Sequence, residues 1–318
     1  MGNAVRVVVT GSTGFLGRHV MPVMRRRYGA ENVIGLSSRD YDLTDPFQVK
    51  LMLSDLKPDV VVHLAAYVGG IGANKEHPAD FFYRNTMLMA LTFDAAARSG
   101  VKKLLYTMGG CSYPAAASSP IDERQMWDGY PQAESAAYSA AKKLGLVASE
   151  AYRKQYGLNS VVLVPGNMYG EYDNFRPAES HVVPATIRRF FEAKISGATH
   201  VVMWGTGAPI RDFVYAGDAA SLIPWFVDRY DSSDPVNIST GTRTSIRELA
   251  CLIKDLVGYE GEVCWDSSKP DGQMVKVFSV ERLHALGMAC PTALEEGLRR
   301  TISWFLKHFK DKSDGIRL

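Results

Sequence analysis

Tyr138 and Lys142 have the spacing of two side chains that could transfer a proton together. They lie four residues apart in the alanine-rich stretch Ser135–Lys143, whose small residues favour a helix. Residues four apart share one helix face. An ammonium beside a phenol favours the phenolate, so we expect Lys142 to lower the pKa of Tyr138. Such a phenol can exchange a proton with a carbonyl or an alcohol, although the same spacing also occurs on ordinary amphipathic helices.

The start of the chain carries a glycine fingerprint that favours the chemical interpretation. Val5–Thr10 is a β-branched run that predicts a buried strand, and a helical pattern continues to Arg27. Between them the glycines are spaced G-x-x-G-x-x-G, which tightens the turn and lets the backbone approach a pyrophosphate on the helix N-terminus. The predicted dinucleotide-binding residues here are Gly11, Ser12, Thr13, Gly14, Phe15, Leu16 and Gly17.

The end of the second predicted strand, Asn32–Leu36, bears on which dinucleotide binds. Ser37, Ser38 and Arg39 follow it and suit a 2′-phosphate, because they offer hydroxyl donors and a guanidinium. We therefore predict NADP. Asp40 and Asp42 lie close enough to keep NAD open as an alternative. Ala65 and Ala66, after the third strand, form a small-residue turn where the cofactor can pass.

Strands alternate with helices up to Pro165, which predicts an α/β fold with a doubly wound parallel sheet. The pattern loosens afterwards, so we expect a smaller C-terminal substrate lobe. We predict a dinucleotide-binding domain over residues 1–165 with a return segment at about 214–240, and a lobe formed by 166–213 and 241–318. Ligands in such sheets bind at the carboxyl ends of the strands.

Composition excludes several classes of function. The 318 residues carry a net charge of +2, which gives neither a nucleic-acid footprint nor a membrane-binding surface. No apolar run is long enough for a transmembrane helix, and the N-terminus does not resemble a signal peptide. The four cysteines have no paired metal spacing, so we expect no metal site and a cytoplasmic location.

Five ordered motifs resemble those of the extended short-chain dehydrogenase/reductases, also described as the NAD-dependent epimerase/dehydratase family. Within it the chain is similar to the NADPH-dependent 3,5-epimerase/4-reductases of GDP-4-keto-6-deoxy-mannose. The resemblance runs nearly end to end. The motifs are Val68–Asn74, Cys111–Pro114, Ser180–Ala185, Trp204–Phe213 and Ser268–Gly272.

The resemblance implies four catalytic residues. Tyr138 would protonate O4 of a sugar ketone, and Lys142 would hold the nicotinamide ribose. Cys111 and His181 would remove and return protons at the carbons beside the ketone, which is suitable chemistry for a thiol and an imidazole. By residue type alone, Cys111 also fits a small buried hydrophobe and His181 a capping or packed histidine.

The resemblance also implies binding residues, a substrate class and an assembly. The substrate would be a GDP-hexose or GDP-heptose, and two apolar helices, Phe82–Ser99 and Tyr138–Tyr156, would form a homodimer interface. The implied cofactor residues beyond those named above are Leu43, Lys142, Pro165, Asn167 and Met168. The implied substrate residues are Asn174, Arg189, Trp204, Arg211 and Asp271.

Three segments of the chain depart from the pattern of the family. Gly109 stands where a serine or threonine usually completes the Ser/Tyr/Lys set, and Gly166 replaces a threonine before Asn167. Ser12 and Thr13 stand where the first glycine loop usually has a basic residue. Losing one hydrogen-bond donor to the reacting oxygen costs on the order of 10²–10³ in rate. Ser112, Thr107, a water or a substrate hydroxyl are the candidates to replace it.

Two alternative functions remain at the level of the sequence. One is another nucleotide-sugar epimerase, ketoreductase or dehydratase that keeps NAD(P) tightly bound. The other is a non-catalytic dinucleotide-binding sensor, suggested by Gly109, although the retention of Tyr138, Lys142, Cys111 and His181 argues against it.

Overall fold

The computed structural model describes residues 4–177 and 179–311. The tail that the sequence predicts to be frayed, Asp311–Leu318, lies outside this range except for Asp311. None of the described helices is long and apolar enough to cross a membrane.

A six-stranded parallel sheet forms the centre of the larger part of the molecule. Its strands are β1 (Val7–Thr10), β2 (Val33–Leu36), β3 (Val60–His63), β4 (Lys103–Thr107), β5 (Asn159–Pro165) and β10 (Val236–Ile238). Their order across the sheet is β10-β5-β4-β3-β1-β2, so the order reverses between β1 and β3, as in a doubly wound fold. The predicted fold class is confirmed.

Helices cover both faces of this sheet because its strand residues alternate between two cores. The helices of this part of the chain are α1 (Phe15–Tyr28), α2 (Pro46–Leu56), the short α3 (Ile71–Glu76), α4 (Pro78–Arg98), α5 (Ala136–Tyr156) and α7 (Ala216–Arg229). Val7 and Val9 pack on one side of the sheet with α1 and α7, whereas Val8 and Tyr106 pack on the other side with α2, α4 and α5.

A third core lies in the C-terminal part of the chain and is rich in aromatic rings, among them Phe175, Phe190 and Phe305. Its helices are α6 (Val182–Ser196), α8 (Ile246–Val257) and α10 (Leu294–Asp311), whereas the short α9 (Glu281–Ala285) packs against β10 of the central sheet. Its strands, with those that link it to the sheet, are β6 (Asn167–Tyr169), β7 (His200–Trp204), β8 (Ile210–Arg211), β9 (Phe213–Tyr215), β11 (Thr244–Ser245), β12 (Glu262–Asp266) and β13 (Val275–Lys276).

The chain returns from this lobe to the sheet, since α7 packs against α1 and β10 pairs in parallel with β5. Residues beyond 241 also reach the first two cores, where Phe278 and Leu283 are fully buried. The division into a dinucleotide domain at 1–165 with a return at 214–240, and a lobe at 166–213 and 241–318, stays our proposal.

Candidate active site

A cavity of about 730 Å³ opens at the carboxyl ends of the central strands. This volume lies within the range of small-molecule and cofactor sites. Its wall combines the glycine loop, the segment after β2, the turn after β3, one side of α4, the end of β4 and the start of α5. The lining residues that the sequence predicted to bind cofactor are Gly11, Thr13, Gly14, Phe15, Leu16, Gly17, Ser37, Ser38, Asp42, Leu43, Ala65, Ala66, Lys142, Pro165 and Met168.

The glycine loop has the geometry of a phosphate cradle. Gly11 has φ +70°, and a Cβ there would lie 2.8 Å from the Ala65 nitrogen. A Cβ at Gly17 would overlap the Gly11 carbonyl oxygen. Gly14 is the N-cap of α1 with no side-chain hydrogen bond from the described residues, so the first N–H groups of the helix are available to an anion. These features fit the pyrophosphate of a dinucleotide.

Three predicted cofactor residues do not form part of the cavity wall. Ser12 is buried, and its hydroxyl donates to the Leu36 carbonyl at 3.1 Å. The Asn167 amide donates to the Asp212 carbonyl at 2.8 Å, and the Arg39 side chain is exposed.

The segment after β2 is ordered by its own carboxylates. The Ser37 amide and hydroxyl both donate to one Asp40 oxygen at 2.7 Å, and these bonds lower the pKa of Asp40. Asp42 accepts from the Thr44 amide and hydroxyl at 2.9 and 2.7 Å. The Ser37 hydroxyl, predicted to bind a 2′-phosphate, is therefore already used by Asp40.

Tyr138 and Lys142 lie on one face of α5 and both line the cavity. The lowering of the Tyr138 pKa that we expected from Lys142 is wrong for this structure. Burial raises the pKa of Tyr138, and the neighbouring Cys111 adds to the effect. Burial also lowers the pKa of Lys142 to about 7, with Cys111 opposing the shift. Desolvation is thus the main cause of both shifts and keeps the phenol protonated, the form that can donate a proton.

An aromatic platform beneath Lys142 fixes its position. The Lys142 Nζ lies 4.2 Å from the centroid of the Tyr106 ring, and the Tyr106 hydroxyl donates to the Lys142 carbonyl at 3.3 Å. Gly145 leaves room for this ring, because a Cβ there would overlap it. His63 stacks on Tyr106 with centroids 5.9 Å apart and shares a 2.9 Å hydrogen bond with Thr10. No local pattern around Tyr106 or His63 indicates this role.

Cys111 approaches the same point as the Tyr138 hydroxyl. It lies in a 3₁₀ turn over Gly110–Ser112, directly after β4. A Cβ built on Gly109 would lie 3.2 Å from the Cys111 sulfur and 3.7 Å from the Tyr138 oxygen. The thiol and the phenol therefore face a common point, and Gly109 forms the floor of that point.

Phe278 and Ser239 occupy the space where side chains at Gly110 and Gly166 would lie. A Cβ on Gly110 would overlap the Phe278 ring, and one on Gly166 would overlap the Ser239 hydroxyl. Gly109 differs, because its φ of −120° and ψ of 147° are accessible to any residue. Ser112 is fully buried outside the cavity wall, whereas Thr107 lines it. Of the two predicted replacement hydroxyls, only that of Thr107 belongs to a residue of the cavity wall.

His181 is exposed at the N-cap position of α6. The segment before it touches the glycine-rich stretch Val68–Asn74, since a Cβ on Gly70 would lie 3.2 Å from the Glu179 carbonyl oxygen. This contact joins the motif that contains His181 to a stretch whose first residue, Val68, lines the cavity. The pairing of His181 with Cys111 stays a prediction.

Three of the predicted substrate residues lie around two adjoining loops. Asp271 accepts from the Thr206 amide and hydroxyl at 2.7 and 2.8 Å and so fixes the turn after Trp204. Trp204 is 68% exposed and available for stacking. Arg211 lies on β8, in register with Lys276 on β13. Lys276 is a residue that the sequence analysis missed.

The other two predicted substrate residues bind the protein itself. Arg189 donates to the Val202 carbonyl at 3.1 Å. Asn174 is buried, and its amide donates to Glu179 at 3.2 Å, so it stabilises the turn before His181.

Removing the Lys142 charge should stabilise the protein without ligand at neutral pH. Lys142 binds a proton up to about pH 10.5 when unfolded but loses it near pH 7 when folded. The unfolded state therefore holds more protons in this window, and the free energy of unfolding rises with pH there. One pKa unit corresponds to about 1.4 kcal/mol.

Lys142→Met should therefore raise the free energy of unfolding by up to a few kcal/mol at pH 7, with a gain that shrinks toward pH 10. Denaturant unfolding at several pH values measures this, with the exposed Lys154→Met on the same helix as control. Equal pH slopes for the Lys142→Met and unmodified proteins would contradict the assignment.

Comparisons with known proteins agree with the geometry. The model of the NAD dependent epimerase/dehydratase family matches residues 7–239. GDP-L-fucose synthase 1 of Arabidopsis thaliana is 38% identical over 305 residues, which cover 96% of this chain and 94% of that protein.

Two solved structures are similar over nearly their whole length. A GDP-6-OMe-4-keto-L-xylo-heptose reductase of C. jejuni has a TM-score of 0.89 at 27% identity, covering 97% of this chain and 99% of that one. A GDP-L-fucose synthetase of Naegleria fowleri bound to NADP has a TM-score of 0.88 at 27% identity, covering 100% of this chain and 98% of that one. The chain therefore belongs to the NAD-dependent epimerase/dehydratase family of extended short-chain dehydrogenase/reductases.

Proposed function

We propose that this protein is an NADPH-dependent GDP-sugar epimerase and 4-ketoreductase. The observation that carries the proposal is the approach of the Cys111 thiol to the hydroxyl of Tyr138, which lines a cavity shaped for a dinucleotide together with Lys142. Simple ketone reduction does not require a thiol at this position. A thiol can, however, exchange a proton with a carbon next to the ketone. The similarity to GDP-L-fucose synthases and to a GDP-keto-heptose reductase supports the same substrate class.

The residues of the chain divide the reaction between them. When bound, NADPH supplies the hydride for C4 of a 4-keto sugar. Tyr138, kept protonated by burial, donates its proton to O4 as the oxygen gains negative charge. Lys142 lies one helical turn away and holds the ribose end of the site. The ketone acidifies the hydrogens on C3 and C5, so Cys111 on one side and His181 on the other can remove and return them.

Arg211 and Lys276 support a diphosphate as part of the substrate. Their Cα atoms are paired across β8 and β13, which brings two cations into the same region. Burial lowers the pKa of both side chains; Cys111 raises that of Lys276, and Arg211 lowers it. Two neighbouring desolvated cations are stabilised by an anion between them, and a guanidinium suits phosphate oxygens. The influence of Cys111 on the pKa of Lys276 supports a diphosphate site near the reacting groups.

Deuterium exchange and hydride transfer separate the two halves of the reaction. The protein should convert GDP-4-keto-6-deoxy-mannose with oxidation of NADPH and, in D₂O, should incorporate deuterium at C3 or C5. Cys111→Ala should reduce the exchange by on the order of 10²-fold or more, which is the usual contribution of a general acid–base. Tyr138→Phe should stop oxidation of NADPH while leaving exchange measurable.

NMR of the product and absorbance of the nicotinamide are the measurements. Exposed Cys264→Ala is the matched control and should behave as the unmodified protein. If Tyr138→Phe and Cys111→Ala both leave every conversion unchanged, the catalytic proposal fails.

Gly109→Ser should restore a donor to the reacting oxygen. The extended backbone accepts a side chain, and its Cβ would lie 3.7 Å from the Tyr138 oxygen. The Cys111 sulfur at 3.2 Å must shift by a few tenths of an ångström. We expect ketone reduction to become faster by ~10-fold or more, since one such donor is worth on the order of 10²–10³ in optimised sites.

Gly109→Ala, which adds the Cβ without the hydroxyl, is the control for Gly109→Ser. Single-turnover oxidation of NADPH measures the step. Equal rates for the serine and alanine variants would show that ketone reduction does not need a hydroxyl at this position.

We also propose that the protein is a homodimer that acts in the cytoplasm. Helices α4 and α5 pack side by side and expose large apolar side chains on the outside: Phe82, Leu144 and Val147. The free cysteines are compatible with a reducing compartment. Sedimentation at micromolar concentration should give twice the chain mass, and Val147→Glu should shift it toward the monomer. A monomeric mass for the unmodified protein would refute the dimer.

A further inference from the structure

Arg84 is the cationic side chain of the cavity wall that remains to balance the negative charge of the cofactor phosphates. A dinucleotide brings a pyrophosphate, and NADPH adds a third phosphate. Among the described residues that line the cavity, only Lys142 and Arg84 are Lys or Arg, and Asp42 is an acid. Lys142 lies near Cys111, at the reacting end, so it is not available to the pyrophosphate. Arg39, which the sequence favoured as a phosphate ligand, is exposed and outside the cavity wall.

Arg84 rests on a rigid platform beside the glycine loop. Its guanidinium carbon lies 4.7 Å from the centroid of the Tyr67 ring. Buried Asn85 fixes the Tyr67 backbone in both directions, accepting from its amide at 3.0 Å and donating to its carbonyl at 2.9 Å. Tyr67 follows Ala65, against which Gly11 packs directly. Arg84 therefore lines the cavity next to the turn after β3, which packs against the loop on which a pyrophosphate would rest.

The donors of Arg84 are not committed to another group in the described part of the chain. No hydrogen bond or ion pair within 4 Å joins it to the residues in 4–177 and 179–311. Its contact with Tyr67 is a cation–π interaction, which contributes only ~0.5–1 kcal/mol at exposed sites. Asp42 feels its charge, but the Thr44 hydroxyl and amide are the main cause of the low pKa of that carboxyl. A phosphate would give Arg84 a stronger partner than either.

We propose that Arg84 is a further cofactor-binding residue and that its guanidinium binds the pyrophosphate of the dinucleotide. This inference rests on the proposed NADPH-dependent function. The pyrophosphate would then lie between backbone N–H groups at the start of α1 and a guanidinium supplied by α4. A guanidinium fork can donate two parallel hydrogen bonds to phosphate oxygens, which gives orientation as well as affinity. Leu88, one turn further along α4, lines the cavity beside it.

Titration of NADPH and NADH tests the assignment without any turnover. Arg84→Gln should raise the Kd of both dinucleotides by the same factor, on the order of 10-fold to 100-fold, because a hydrogen bond to a charged group is lost. Arg84→Lys should recover part of the affinity by retaining the charge. Arg98→Gln, at the far end of the same helix, is the control and should bind as the unmodified protein.

The Kd values of the two dinucleotides decide whether Arg84 binds the pyrophosphate. Equal losses support the pyrophosphate anchor. A loss confined to NADPH would overturn it in favour of a 2′-phosphate contact, and unchanged Kd values for both would remove Arg84 from the site. If the unmodified protein binds neither dinucleotide, the proposed function fails, which is distinct from failure of this inference. Thermal melting of each variant confirms that it is folded.

Discussion

The candidate active site depends on the burial of the Lys142 ammonium next to the Tyr138 phenol. Desolvation of a cation is costly, and here it lowers the pKa of Lys142 to about 7. The surrounding residues reduce the cost by placing the Tyr106 ring under the ammonium and by holding the helix backbone through the Tyr106 hydroxyl. Gly145 is required because the ring occupies the space of its side chain. A set of core residues with no chemistry of their own thus sets the ionisation of the site.

The same burial determines which forms of the catalytic groups are available. Tyr138 stays protonated and can act as an acid toward a ketone oxygen, whereas Lys142 is close to its titration point at neutral pH. The charge of a bound cofactor and substrate adds to this balance, because anions near Lys142 favour its charged form. Binding and ionisation are therefore coupled at this site.

Much of the fold could be predicted from the sequence, because it is expressed in short-range patterns. The strand from Val7 to Thr10, the glycine turn and the helix after it form a local signal that leaves few alternatives. The positions of Tyr138 and Cys111 followed from motifs. The direction of the Tyr138 pKa did not, because desolvation depends on what packs around a group, and a helical spacing shows only the neighbour one turn away.

The residues that sequence reasoning missed share a dependence on tertiary packing. The sequence around Arg84 predicts an amphipathic helix and does not indicate which side chains face the cavity. The position of Arg84 in the cavity wall, over the Tyr67 ring, is seen only in the structure. Lys276 gains meaning from its register with Arg211 on a two-residue strand, which is too short to predict. Phe278 comes from far along the chain to fill the space beside Gly110.

The most direct measurement is a crystal structure of the protein with NADP and a GDP-hexose bound together. The account predicts that the sugar C4 lies within about 3.5 Å of the nicotinamide carbon that carries hydride, a near-attack distance. The Tyr138 hydroxyl should be at hydrogen-bond distance from O4, and the Cys111 sulfur should face C3 or C5. A sugar bound with its C4 remote from Tyr138, or a Cys111 thiol turned away from the ring, would contradict it.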